Sequence, residues 1–250
     1  MRPTDIGCRL AWLGATLLAG HVLPAAAQYA SGPSILIEAA SDERRRGLSW
    51  SDGDPVLRAA VSLPVADGFS LDGAVATLRG SGRHGGADAV LDLGISYVKQ
   101  IGGVRLTADT RYHLFPGACA QGYSTQDYGE IGAGAEFLIG PASFDLSASY
   151  APRQSAIGGD NLYLATAATA AIPGTPLTLS ARIGRSSGHV RDPARAARLR
   201  PDGAYWDHGA GMDYIKGRWS AGLHYANSSI DGPGRRHAGA RLIGRVGLTL

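Results

Sequence analysis

Cysteine is nearly absent from this chain: there are two in 250 residues, Cys8 and Cys119. Cys8 falls in a segment expected to be removed on export, which leaves one thiol and no intramolecular disulfide, even in a compartment that would permit one. Also missing is any long apolar run after residue 27, so no membrane-spanning helix is expected in the rest of the chain. If that part meets a membrane, it does so with strands. Charge is sparse too, at 18 % of residues. Removing residues 1–27 takes away two Arg and one Asp and leaves 22 basic against 20 acidic side chains. That balance predicts no nucleic acid or other polyanionic partner.

The signatures of covalent chemistry are absent as well. There is no G-x-S-x-G elbow, no H-E-x-x-H and no paired-cysteine metal spacing, so neither an enzyme nor a bound cofactor or metal is expected. His113, His208 and His224 could act as acids or bases, but no serine can be assigned to them and they read as ordinary lumen or interface residues. The glycine-rich stretch 80–86 reads as a flexible loop, because no strand-to-helix context makes it a phosphate cradle.

What is present begins with a targeting signal. Arg2 and Arg9 precede an apolar run from Leu10 to Leu23 that ends at Ala25-Ala26-Ala27. This is the pattern of a cleaved secretory signal peptide over residues 1–27, too short in its apolar run for a spanning helix. The remainder, 28–250, reads as one domain.

That domain is organised in repeats of two. Between Tyr128 and Pro152, two strands flank a Gly140-Pro141 turn. Ile131, Ala133, Ala135 and Phe137 alternate with Glu130, Gly132, Gly134 and Glu136, and then Phe144, Leu146, Ala148 and Tyr150 alternate with Asp145, Ser147 and Ser149. The period is 2, not 3.6. The same parity test finds twelve strands, at 34–42, 56–63, 69–79, 87–99, 104–115, 128–139, 142–151, 162–172, 177–184, 204–215, 219–226 and 238–250. Each is near the ~9–11 residues that cross a tilted bilayer span.

Two further patterns agree with this. Short turns alternate with longer polar segments at 47–55, 80–86, 116–127, 152–161, 185–203 and 227–236, as in barrels with short periplasmic turns and long external loops. The aromatic residues form two girdles: Phe69, Tyr97, Phe137, Phe144, Tyr214 and Trp219 next to short turns, and Tyr112, Tyr150, Trp206 and Tyr225 towards the long loops. The reading is an all-β, transmembrane, antiparallel up-and-down barrel of about 12 strands in the bacterial outer membrane. A soluble barrel with an apolar interior is the other reading of the alternation. Twelve strands lined with Ala, Leu and Gly would leave it a large unfilled cavity.

On the polar faces stand Glu38, Asp42, Arg44, Arg58, Asp72, Asp92, Arg105, Asp109, Arg111, Glu130, Glu136, Asp145, Arg182, Asp207, Asp213, Arg241 and Arg245. Projected inward, they line a pore that selects small hydrophilic solutes by charge and width. Alternatively they fill the lumen as a salt-bridged plug, in a closed barrel whose loops do the work. Across the closing seam, Arg241 and Arg245 are expected to pair with Glu38 and Asp42. The expected partners are outer-membrane lipid, the permeating solutes and, during insertion, the barrel-assembly machinery.

The segment 41–55 carries a resemblance. Ser41, Asp42, Arg46, Gly47, Ser49, Ser51 and Pro55 match the opening signature of the TorF family of outer-membrane porins, S-D-Y-x-F-R-G-I-S-Q-S followed shortly by Pro. Glu43, Arg45 and Trp50 depart from its two aromatic positions and its Gln. The stretches 112–117, 128–130 and 144–152 resemble the family more loosely. The resemblance implies an outer-membrane barrel with a transport role and specifies no substrate.

If the chain enters from the periplasm and reverses at each strand, Cys119 lies in the third long loop outside the cell. A membrane-impermeant thiol reagent on intact cells is expected to label it. Labelling only after the outer membrane is broken would invert the topology.

Overall fold

Strands with one apolar and one polar edge, repeated along the chain, make a sheet that must hide one face from the other's solvent. Here the sheet closes on itself. The computed structural model describes residues 32–118 and 126–250; the expected signal segment 1–27 and Cys119 lie outside them. In chain order the strands are β1 (Ser34–Ala40), β2 (Arg44–Arg45), β3 (Leu48–Ser49), β4 (Val56–Ala66), β5 (Phe69–Ser81), β6 (Ala87–Ile101) and β7 (Val104–Leu114). They continue with β8 (Tyr128–Ile139), β9 (Ala142–Gln154), β10 (Gly159–Ala171), β11 (Leu177–Ser187), β12 (Tyr205–Lys216), β13 (Trp219–Ser228) and β14 (Arg241–Thr249). All but β2 and β3 form one closed antiparallel barrel, in which each strand pairs with its chain neighbour and β14 returns to β1.

The apolar face points outward. Ile35, Ile37, Leu71, Ile95, Leu106, Ile131, Leu146, Leu179, Leu223 and Val246 are all exposed. An apolar surface this continuous is unfavourable in water and favourable in lipid, which excludes the soluble barrel with an apolar interior. Both aromatic girdles are on this surface: Phe69, Phe137, Phe144, Tyr214 and Trp219 are exposed beside the short turns, and Tyr112, Tyr150, Trp206 and Tyr225 towards the other rim. The tight turns are where the pattern placed them. At Gly140 the backbone has φ 57°, a left-handed conformation that glycine adopts without steric cost.

Three sequence expectations need correction. β1 stops at Ala40 and β14 starts at Arg241, so Asp42 and Arg44 are not on barrel strands. The stretch 80–86 is not a loose loop: Gly82–His84 is a 3-10 turn that buries His84 completely. The largest difference is at 47–55, expected as an external loop: the whole segment 41–55 turns inward. It folds back into the mouth of the barrel as the β2–β3 hairpin, and the protein's packed apolar cluster forms around it. Leu48 and Trp50 pack there with Leu78, Val90, Phe115, Tyr128, Ile157, Leu199, Tyr205 and Ile230.

Closure has an operational consequence. A barrel without a free edge gives detergent no place to start unzipping. The protein is therefore expected to migrate faster on a gel before boiling than after; equal mobility would contradict the closed sheet.

Candidate functional site

The inserted hairpin is built from its own short polar side chains. Ser49 Oγ donates to Asp42 Oδ1 at 2.6 Å and accepts from Gly53 N at 2.8 Å. Ser51 Oγ accepts from Glu43 N at 3.1 Å and donates to the Asp54 carbonyl at 2.7 Å. These bonds give the backbone donors partners that a loop entering a lumen would otherwise lose to desolvation. The turn is Arg46-Gly47, with φ 52° and 77°. Positive φ at both central residues is what a two-residue hairpin turn requires. Gly47 is also dictated by space, since a Cβ there would lie 2.6 Å from Asp207 Cβ.

Three consecutive arginines attach the hairpin to different parts of the chain. Arg44 Nη1 donates to the Gly239 carbonyl at 2.6 Å and Arg44 Nε to Asp42 at 3.1 Å. Arg45 bridges Glu43 and Asp92, each at 2.9 Å, and its guanidinium lies 4.2 Å over the Trp50 ring. Arg46 meets both oxygens of Glu130, at 2.9 and 2.7 Å, and Tyr205 donates to its carbonyl at 2.8 Å. Buried ion pairs of this kind contribute little net stability against an apolar substitute. Burying Leu48 alone contributes roughly 1.5–3 kcal/mol. Apolar packing therefore holds the hairpin in, and the arginines decide its position. His84 is stacked on Phe115, at 4.6 Å, and tilted against Trp50, at 4.5 Å. Burial, and next the nearby Arg198 guanidinium, push its pKa well below the usual imidazole value, so it packs there as a neutral ring.

The lumen has two tiers. Under the hairpin, Asp92, Glu130 and Asp207 are buried, as is His113, whose Nδ1 lies 2.6 Å from Asp92. Towards the short turns the inward positions are small: Gly94, Ser96, Gly132, Gly134, Ser147, Ala165, Ser180, Gly209, Gly211 and Gly222. Some charged side chains there keep contact with solvent: Arg182 is 40 % exposed and Arg245 32 %, against 1 % for Asp92, while Arg105 beside the 102–103 turn is buried. Most of the charges are paired. Arg182 meets Asp207 at 2.8 Å, Arg105 meets Glu136 at 2.5 Å and Arg111 meets Asp109 at 3.2 Å. Asp72 accepts from Ser62 at 2.8 Å. Asp145 faces Glu136 directly across the β8–β9 ladder.

Of the charged residues read as lining a pore, all but Asp42 and Arg44 stand on barrel strands with inward parity, and Asp42 and Arg44 belong to the inserted segment. Arg241 is at the rim and donates to the Gly53 carbonyl at 3.0 Å. The expected seam pairs do not form. Register sets Glu38 opposite Gly247 on one side and Arg58 on the other, and Arg58 meets it at 3.1 Å. Arg245 instead turns to Asp213 and His224 on β13's side of the lumen, and His224 Nε2 lies 2.9 Å from Asp213. Sequence reasoning missed Glu43, Arg45, Arg46 and Trp50 as lumen residues. The signal for them was present: a run of three arginines directly after two acids is unusual for a loop meant only to be wet.

A closed twelve-stranded barrel with an apolar exterior and a polar interior has the fold of bacterial outer-membrane porins and channels. Two solved structures share it: the KdgM porin (TM-score 0.53, 12 % identity, 86 % of this chain and 97 % of that one), and the COG4313 outer membrane channel from Pseudomonas putida F1 (TM-score 0.54, 10 % identity, 88 % and 96 %). By sequence the chain belongs to the family described as bacterial protein of unknown function (Gcw_chp), which matches residues 27–242. No curated protein matches it.

Replacing Arg46 by Met should leave the Glu130 carboxylate with only the longer contacts to His113, 3.4 Å, and Arg111, 3.7 Å, and lower stability by about 1–3 kcal/mol. Adding Glu130→Gln should recover part of that loss. Denaturant midpoints in detergent micelles measure both; a double variant no better than the single one would mean that the pair does not place the hairpin.

Proposed function

We propose that the protein is a passive outer-membrane channel for small hydrophilic solutes, narrowed at its outer end by the β2–β3 hairpin. The observation that carries this is the two-tier lumen: small, half-buried side chains along the inner wall towards the short turns, and the inserted hairpin, packed with residues of neighbouring loops, across the other end. Folded-in loops that set a pore's width and charge are a recurring way to tune diffusion through barrels. The two channel structures of like fold and the resemblance of residues 41–55 to the TorF porins support the same reading. Solutes would pass between paired charges such as Arg105–Glu136 and Arg182–Asp207, with no cofactor and no covalent step. Lipid would surround the barrel, and the assembly machinery would insert it.

A second reading, a closed barrel that works through its external loops, is favoured by the complete burial of the cluster around Trp50. Planar-bilayer recording separates the two. Ala40 and Val56 are register partners, so a short Gly-Ser linker can replace residues 43–53 without straining the wall. That variant should conduct in larger steps than the intact protein. No steps from either protein over many insertions would overturn the channel, and steps of equal size would show that the hairpin is not what narrows it.

A further inference from the structure

The outer wall is not uniformly ridged. A shallow groove of about 790 Å³ crosses it, bordered by Leu57, Met212, Tyr214, Leu223 and Val246. Its course follows one line of register. Leu57 is opposite Ala39, Ala39 opposite Val246, Val246 opposite Ala221, Ala221 opposite Tyr214, and Tyr214 opposite Leu177. Leu177 is the first residue of β11, at the short-turn rim. At the other end Leu57 N donates to Thr77 Oγ1 at 3.1 Å, two residues before Arg79 at the long-loop rim. The line therefore runs from one rim of the apolar band to the other. It is sunk because its floor carries almost no side chain: Ala39, Ala221 and Gly244, where a Cβ would meet nothing within 4 Å.

At the long-loop end the groove meets Arg79. This arginine is exposed and held in a left-handed conformation, φ 54°. Among the described residues no salt bridge or hydrogen bond involves its side chain. An unpaired guanidinium at the headgroup level, at the head of a smooth apolar furrow, has the chemistry of an acyl chain site with an anion at one end. The local charge decides this, not the near-neutral total.

We propose that the groove is a fixed site for an acyl chain of a phosphate-bearing lipid of the outer leaflet, with Arg79 binding the phosphate. The inference rests on the outer-membrane placement but not on conduction, so a barrel that fails to conduct can still satisfy it. The test uses purified full-length protein, delipidated in detergent and incubated with lipid A, observed by native mass spectrometry. One lipid A should stay bound. Arg79→Asn, which keeps a residue tolerant of positive φ, should weaken retention by about tenfold, as expected for one charge-assisted contact. Dephosphorylated lipid A should lose as much on the intact protein. Gly244→Leu should fill the floor and displace the chain, with Ala221→Leu as the replacement if that variant loses its heat-dependent gel shift. Equal retention of the dephosphorylated lipid, or by the Arg79 variant, would overturn the phosphate site. A dimer mass abolished by Gly244→Leu, with no lipid bound, would give the groove to a second copy of the chain and overturn the proposal.

Discussion

A backbone amide left unpaired in hydrocarbon costs several kcal/mol, because no water is there to take its place. The seam between the first and last strands is where this constraint acts most directly. Ile35 and Leu250 exchange both backbone hydrogen bonds, at 3.0 and 2.8 Å, and Ser41 N reaches the Gly244 carbonyl at 2.9 Å. Once the seam closes, every strand has two neighbours and one face of the sheet is sealed away from lipid. The alternation of apolar and polar residues, the two aromatic girdles and the segregation of short and long connections all serve a sheet that has no edge.

Closure creates a second problem, an interior with too little side-chain volume. Glycine, serine and alanine dominate the inward positions near the short turns, so the wall does not fill its own lumen. The chain fills the long-loop half with a hairpin instead, and the physical cost of placing arginines there is met by carboxylates on facing strands. Three residues of the segment fit together in the same place. Glu43, Arg45 and Trp50 form one cluster: Arg45 bonds Glu43 at 2.9 Å and covers the Trp50 ring at 4.2 Å, while Trp50 N bonds the Glu43 carbonyl at 2.7 Å. Three residues that look unrelated in the sequence are one contact in space.

The outer surface follows a separate logic. Lipid demands only that it be apolar, and tolerates gaps that a protein core would not. Small residues can therefore align across strands without loss of stability, and the line from Leu177 to Leu57 is such an alignment. It owes nothing to the lumen, so the groove outside and the hairpin inside can vary independently.

The sequence alone determined the barrel: the strand number, the parity of each face, the rim that carries the long loops and the heights of the girdles; the exposed apolar side chains of the closed sheet settled which face points outward. These are legible because a period of two is a local property, repeated wherever one face of a strand meets lipid, and a single misplaced charge would break it. Tertiary structure decided what occupies the lumen. Arg46 finds Glu130 84 residues away and Arg44 finds Gly239 195 residues away, and the run of charges within segment 41–55 does not say which distant partners it meets. The seam pairing was misjudged for the same reason. Parity fixes the face a side chain points to, but register decides which residue it meets, and register is set only when β14 comes round to β1.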